Sequence, residues 1–561
     1  MTAASQTTFL PDRARQERKA LSRMFATTLL GLSAATMIIG SPAIAQDAPM
    51  PRATIDAGTV EGFRTASGVN AFLGIPYAAP PVRDLRWRDP QPVTPWSGTF
   101  HADRYGPQCI QPLRNTQANQ YSGAEITSED CLSLNVWAPP DARKRPVVVF
   151  IHGGAFFIGS ASMPLYAGDS VARHGAVFVN LNYRLGVLGF LAHPALSRES
   201  PNATSGNYGF LDQIAALQWV KRNIAQFGGD PDNVTIAGQS AGSMSILTLQ
   251  SSPLAKGLFQ RAIGMSGAAI EDTGPFALRP LAAAEVEGGK FQALVGAADL
   301  KALRNLPADR LTLPRRPGAS AIGAIQDGYV LPTSIAQSFA RGRQGDVPLL
   351  LGFARDEALG GFGPVKDLAD YRAKAQQRFG DRTARFLELY PAATDAEARA
   401  QARIADRNAT MVAAMRQWAT TATRRDRSPV YTYMFAHPHS YAPGVTFSDL
   451  DPATAGAYHT SEVPFWLGTL DSFNLFRNTR AWTAADRQLS DDMIKALVSF
   501  ASSGKPALPG LNWPRFEPAA AKLVILDTPP RIGSWPDEAH LDIFRTIAPA
   551  ATPTASSGVR D

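Results

Sequence analysis

Three features of the sequence predict an α/β protein with a largely parallel central sheet. Short apolar runs recur at residues 146–151, 176–179, 262–265, 347–351 and 430–434, each about the length of a strand. The run at 146–151 is continuously apolar and the others nearly so, as expected of strands covered on both faces. Helical patterns lie between them, and strands alternating with helices favour parallel pairing. The third feature is Asn233-Val-Thr-Ile-Ala-Gly-Gln-Ser-Ala-Gly242. Its β-formers run into Gly238-Gln239-Ser240-Ala241-Gly242, after which small residues open a helix. A serine flanked by glycines two positions either side, on a strand-to-helix turn, is the context of a nucleophile elbow. There the serine hydroxyl stands clear of the sheet and the next backbone N–H points at what it attacks. An ordinary Gly-Ser turn is the alternative.

Taken in order, residues 57–100 read as short strands and Pro-rich turns. The run at 146–151 ends in His152-Gly-Gly-Ala-Phe156, and that at 176–179 closes in Asn182-Tyr-Arg184. Residues 210–227 form an amphipathic helical pattern with Leu211, Ile214, Leu217, Val220 and Ile224 near one face. Gly228-Gly229 ends it, and Asp230-Pro231 turns the chain into the strand before Ser240. A further helical pattern covers 281–303. A polar, Ala/Arg-rich one covers 368–423, within a stretch (361–428) too long for a simple crossover, which predicts a helical cap. Residues 546–561, rich in Ala, Pro, Thr and Ser, predict a disordered tail.

With 561 residues, 45% hydrophobic and 18% charged, the composition is globular and supports a large core, while 43 Pro and 46 Gly imply many loops. Net charge is +7, but Arg13, Arg15, Arg18, Lys19 and Arg23 against Asp12 and Glu17 place three of those charges in residues 1–45. The remainder is too diffuse for a nucleic-acid partner. Those same residues read as an export signal: a basic start, an apolar stretch from Met24 to Ile39, and a small-residue cleavage site at Ala43-Ile-Ala45. About 16 apolar residues is short for a membrane span. The expectation is therefore a signal peptide at 1–45, a catalytic domain at 46–545, and an exported protein, periplasmic or secreted, without stable membrane insertion. Cys109 and Cys131 are the two cysteines, and an oxidising compartment favours one disulfide between them. Two separate thiols are the alternative.

A serine hydroxyl needs a base, and the base an orienting group. If the chain order is Ser, acid, His, the candidate bases are His437, His439, His459 and His540, and Arg355-Asp-Glu357 follows a strand where an acid would fall. Spacing alone leaves these open. Nothing in the sequence suggests a metal or cofactor.

The residues quoted resemble the type-B carboxylesterase and cholinesterase-like family, over about residues 54–518. The resemblance is carried by Phe72-Leu-Gly-Ile-Pro-Tyr-Ala78, Ser128-Glu-Asp-Cys-Leu-Ser-Leu-Asn-Val136 and Gly206-Asn-Tyr-Gly-Phe-Leu-Asp-Gln213. Phe227-Gly-Gly-Asp-Pro231, the Ser240 elbow, Ala457-Tyr-His-Thr-Ser-Glu462 and Trp513-Pro514 complete it. It implies an α/β-hydrolase fold whose cap and long loops form a gorge. It implies Ser240 as nucleophile, His459 as base and Glu357 as acid, with Asp356 the fallback. Backbone N–H groups of Gly154, Ala155 and Ala241 would form the oxyanion hole, and Ser266 would lie buried behind the triad. Phe156 would line the substrate pocket, and Cys109–Cys131 matches the family's first disulfide. The implied activity is hydrolysis of a small-molecule carboxylic ester. Carbamates and amides fall within the same chemistry. Non-catalytic relatives that act in adhesion lack a triad member, whereas all three stand here. Residues 191–209 further resemble bacterial members that de-esterify bulky xenobiotics and mycotoxins such as fumonisins.

Two departures bear on substrate. Gln239 precedes the serine where the family often has Glu, and the segment between the cysteines holds no Trp. Cholinesterases use an aromatic there to hold a quaternary ammonium. Both departures point to neutral or bulky esters over choline esters.

Overall fold

The apolar runs pair into an eleven-stranded sheet. A computed structural model describes residues 49–112, 117–119, 126–270, 277–312, 322–357, 359, 362, 364–425 and 427–544. The expected signal peptide and tail lie outside the described residues. In chain order the strands are β1 Phe63–Arg64, β2 Asn70–Pro76, β3 Ser133–Ala138, β4 Arg145–Ile151, β5 Val177–Leu181 and β6 Gly229–Gln239. They continue as β7 Arg261–Met265, β8 Leu349–Ala354, β9 Val430–Phe435, β10 Lys522–Leu526 and β11 Arg531–Ser534. Across the sheet their order is β11-β10-β9-β8-β7-β6-β4-β5-β3-β2-β1. From β10 to β5 all neighbours are parallel, and only the outer strands run antiparallel. The fold class is that of an α/β-hydrolase, as the sequence predicts.

Seven helices matter for the site: α1 Tyr208–Asn223, α2 Ala241–Ser251, α3 Leu368–Phe379, α4 Thr383–Leu389, α5 Asp395–Arg407, α6 Ala413–Thr423 and α7 Ala484–Ser503. They explain why the central strands lack alternation. Val147, Val149 and Ile151 of β4 pack into a core shared with Leu217 of α1, Leu247 of α2 and Trp418 of α6. Val148 and Phe150 face the opposite core, shared with Met493, Leu497 and Phe500 of α7. Helices on both faces leave no polar side for the strands to show.

Boundaries move for local reasons. Helix α1 starts at Tyr208, two residues early, because Asn207 takes a left-handed φ of 54° and exchanges two hydrogen bonds with Ile325. Its end tightens into a 3₁₀ turn, Ile224–Phe227, closed by Gly228 at φ 80°. The pattern expected as one helix over 281–303 is two, Leu281–Leu294 and Leu300–Asn305, separated by Gly296 at φ 73°. The long polar pattern is four helices. Of these, α3 to α5 gather around an aromatic cluster of their own, with Phe362, Tyr371, Phe379, Phe386 and Tyr390. Helix α6, joined to α5 through a π turn at Asn408–Val412, packs on β8 and β9.

One buried ion pair ties the sheet to α1. Arg184, just past β5, donates to both carboxylate oxygens of Asp212, and its remaining nitrogen reaches Arg88 O at 2.8 Å. Neither side chain is exposed beyond 4%. Removing one partner strands a buried charge, at a cost of roughly 3–5 kcal/mol. Asp212→Ala should therefore lower the guanidinium midpoint markedly; an unchanged midpoint would show the pair to be inert.

Candidate active site

The carboxyl ends of β4, β6, β7 and β8 gather the residues singled out above. In such sheets ligands bind outside the carboxyl ends of the strands, where strand order reverses. Here the reversal falls at β4, whose neighbours are β5 on one side and β6 on the other.

At the end of β6, Ser240 takes φ 57° and ψ −122°, a conformation rare outside functional turns. Packing sustains it. Ser240 N–H donates to Met265 O at 2.8 Å, and Ser240 O accepts from Met244 N–H at 3.0 Å as α2 begins. The flanking glycines are sterically required: a Cβ at Gly238 would lie 2.5 Å from the Gly242 backbone, and one at Gly242 would lie 2.1 Å from Ile151 O. The loop after β4 closes on the same point. A Cβ at Gly153 would approach Gln239 O to 2.7 Å and Ser240 Cβ to 3.1 Å.

That loop carries Gly154, Ala155 and Phe156 at φ 110°, 54° and 62°. Successive left-handed residues turn their N–H groups toward one side, an arrangement suited to an anion. Gly154 O accepts from the N–H of Phe157 and of Ile158, closing the turn. Phe156, expected at the pocket wall, is only 8% exposed and packs between Phe190 and Phe210, so its ring anchors the turn in the core. Ala241 opens α2, where first-turn N–H groups have no helical partner.

The four candidate histidines separate clearly. His437 is bracketed by Asp486 at 2.6 Å and Asp527 at 3.2 Å. His439 is buried against Arg480 and Tyr458, and His540 packs on Tyr390. His459 alone joins the elbow. Its Nδ1 lies 2.5 Å from Glu357 Oε2, and its Nε2 lies 3.3 Å from the Gln239 amide nitrogen. With Nδ1–H donated to Glu357, Nε2 presents its lone pair, and the amide donates to it. Among the described residues Ser240 Oγ makes no hydrogen bond to the ring. Such contacts are often long before substrate enters.

Glu357 is fully buried and also accepts from Ala354 N–H at 3.0 Å. Asp356 points elsewhere: it pairs with Arg355 and accepts from Ala457 N–H at 2.8 Å, holding the histidine loop. The choice the sequence left between the two acids falls on Glu357 as the histidine's neighbour. Burial pushes the His459 ring toward neutrality, but the hydrogen bond and charge of Glu357, with the charge of Glu462 behind, outweigh it. The imidazole stays above the ordinary histidine value.

Glu462 is a residue the sequence reading assigned no role, although it closes the Ala457–Glu462 motif. Fully buried, it accepts from the equally buried Ser266 Oγ at 2.8 Å. Burial, then the charge of Glu357, push Glu462 up to about 7. Its position three residues after the histidine was the available signal. His152 is another: burial pushes it down to about 4, leaving a neutral ring stacked on Tyr183 beneath the glycine turn. Cys109 and Cys131 form the disulfide, with Cα atoms 5.0 Å apart. Among the described residues no group of acidic, His and Cys side chains could hold a metal.

A sequence model described as the carboxylesterase family matches residues 49–544. The fumonisin B1 esterase of Sphingopyxis macrogoltabida is 38% identical over 511 residues, spanning 86% of this chain and 88% of its own length. The para-nitrobenzyl esterase of Bacillus subtilis (strain 168) is 36% identical over 503 residues, spanning 86% of this chain and 96% of its own. A solved PNB esterase structure superimposes with a TM-score of 0.74 at 32% identity, covering 88% of this chain and 99% of that one. With an elbow serine, a carboxylate-bound histidine and a left-handed glycine turn meeting at the sheet's carboxyl edge, the protein belongs to the carboxylesterase family.

Proposed function

We propose that the protein hydrolyses carboxylic esters through Ser240, His459 and Glu357 by way of a covalent acyl-enzyme. The observation that carries this is the 2.5 Å contact from His459 Nδ1 to Glu357, made beside the strained serine. As Ser240 Oγ bonds to the ester carbonyl carbon, its proton passes to His459 Nε2. The carbonyl oxygen becomes an oxyanion facing the N–H groups of Gly154, Ala155 and Ala241. Each such donor contributes roughly 3–4 kcal/mol in systems of this kind. The imidazolium then gives its proton to the alcohol oxygen as that C–O bond breaks. Water repeats the cycle on the acyl-serine, releasing the acid. Before the first transfer, the Gln239 amide must yield Nε2 to the serine.

Gln239 also bears on substrate. A neutral amide beside the base offers a cation no charge to neutralise, which supports neutral or bulky esters over choline esters. The relatives named for fumonisin B1 and para-nitrobenzyl esters support the same reading. Export follows from the leader-like residues 1–45 and accords with the Cys109–Cys131 disulfide. Among the described residues no helix is long and apolar enough to cross a membrane.

Substitutions check these assignments. Ser240→Ala should lose turnover by about 10⁴-fold or more and no longer take up an organophosphonate; stoichiometric labelling of another serine in that variant rejects the assignment. Glu357→Gln should lose about 10⁴-fold with Asp356→Asn far less affected, and the opposite ranking transfers the role to Asp356.

The pH profile follows from the raised imidazole. The base works when neutral, so kcat/KM should fall as pH drops through a value above the ordinary 6.5 or so. Glu462→Gln removes a negative charge that favours the imidazolium and should move this limb down by about half a unit. Gln239→Glu adds one and should move it up by about one unit, while narrowing the gap between neutral and choline esters. Shifts of the opposite sign would mean that neither group acts on His459.

N-terminal sequencing of exported protein should give Gln46 as the first residue. Residues 24–45 retained in a membrane fraction would make them an anchor instead.

A further inference from the structure

Outside the triad, one cavity of about 250 Å³ lies between residues 117–119, the turn Pro164–Tyr166 and the segment 472–479. It shares no residue with Ser240, His459, Glu357 or the glycine turn. Met163, Leu165, Phe473 and Phe476 give it apolar walls, and Phe476 is 65% exposed at its rim. Two guanidiniums stand beside it. Arg477 lines it directly, half-buried, with one nitrogen donating to Gln117 Oε1 and Thr446 O, both at 3.0 Å. Its other donors have no partner among the described residues.

Arg480 lies behind the wall, 2% exposed. It donates to His439 Nδ1 at 3.1 Å and to the side-chain oxygen of Asn119, itself a lining residue. Its guanidinium sits 4.3 Å from the Tyr441 ring centroid and 4.6 Å from that of Phe473. Neither arginine forms an ion pair among the described residues. Burial and Arg480 push His439 down to about 3, so it stays neutral and accepts from Arg480 through Nδ1. Of the nearby acids, Asp471 pairs with Arg487, and Asp449 accepts from the backbone N–H of the lining residue Asn119 at 2.7 Å. Arg480 also donates to Thr479 O at 3.3 Å and to Tyr458 Oη at 3.4 Å, so its surroundings are complete, and Arg477 is the guanidinium that faces the cavity.

We propose that this cavity binds an organic carboxylate with a small apolar body, the head on Arg477 and the body against Phe473, Phe476 and Leu165. The fork of a guanidinium matches a carboxylate with two parallel hydrogen bonds. A dry cavity of about 150 Å³ takes a benzene ring, so this volume accommodates one ring with a short tail, or a short acyl chain. Ester hydrolysis releases this class of anion, so the choice of carboxylate rests on the proposed reaction. The existence of an anion-selective apolar site does not. The site therefore suits the acid released from a substrate.

Titration calorimetry of the intact protein with 3-phenylpropanoate, and with 3-phenylpropan-1-ol as its neutral counterpart, tests this. The acid should bind at least about tenfold more tightly than the alcohol. Arg477→Gln should weaken the acid by at least about tenfold, and Arg477→Lys should keep part of the affinity. Ser472→Trp, which fills the cavity, should abolish binding. All three variants should turn over p-nitrophenyl acetate like the parent, since none touches the triad. Equal binding of acid and alcohol, or acid binding undiminished by both Arg477→Gln and Ser472→Trp, overturns the site. Loss of turnover in folded Arg477→Gln would place the cavity within the catalytic gorge and overturn its independence. Failure of Ser240→Ala to lose activity would touch only the catalytic reading.

Discussion

The site depends on a shortage of space at the end of β6. Backbone from β4, β6, α2 and the segment after β7 converges there so closely that Gly153, Gly238, Gly242 and Gly267 could not carry even a Cβ; one at Gly267 would lie 2.3 Å from Ser240 O. Ser240 is held at φ 57° by these contacts and by its hydrogen bond to Met265. Such a conformation costs about 1–3 kcal/mol and persists where the surroundings over-determine it. The register of β6 against β4 and β7, with Gly238 opposite Ile151 and Gln239 opposite Met265, supplies that over-determination. The hydroxyl's position is thus set by the sheet.

Charge is arranged around that fixed point in a region of low effective dielectric, where each unit matters more than on the surface. Glu357 and Glu462 are both fully buried, and both act on one imidazole. They divide the work because like charges close together cannot both ionise freely. Glu357 holds the hydrogen bond to His459 Nδ1, whereas Glu462, bonded to Ser266, titrates near neutrality. Gln239 completes the ring's surroundings without adding a third carboxylate.

The histidine loop is held from two further directions. Asp356 exchanges hydrogen bonds with Ala457 from the β8 side. From the other, Arg480 links Asn119, within the segment closed by the Cys109–Cys131 disulfide, to His439, which in turn donates to Ser461 O at 2.8 Å. Arg407 of α5 reaches Arg355 O at 2.9 Å, so the helical segment also touches the chain that carries the acid. The proposed base is thus positioned by three elements far apart in sequence, and the cavity beside Arg477 borders one of them.

The strands and the elbow were legible in the sequence because they obey local rules. A strand covered on both faces must be apolar throughout, so 146–151 reads as buried before its neighbours are known. Two glycines flanking a serine mark a turn that other residues cannot make. Family motifs added Glu357 and His459, which periodicity and spacing left among several candidates. What only the tertiary structure decided depends on residues distant in the chain. Glu357 and Asp356 are adjacent and chemically alike, and backbone direction alone turns one to the histidine and the other to Ala457. Phe156 follows the glycine turn as a pocket residue would, yet Phe190 and Phe210 draw it into the core. Glu462 gains its raised affinity for a proton from burial and from Glu357, a residue more than a hundred positions away, and no local pattern records either.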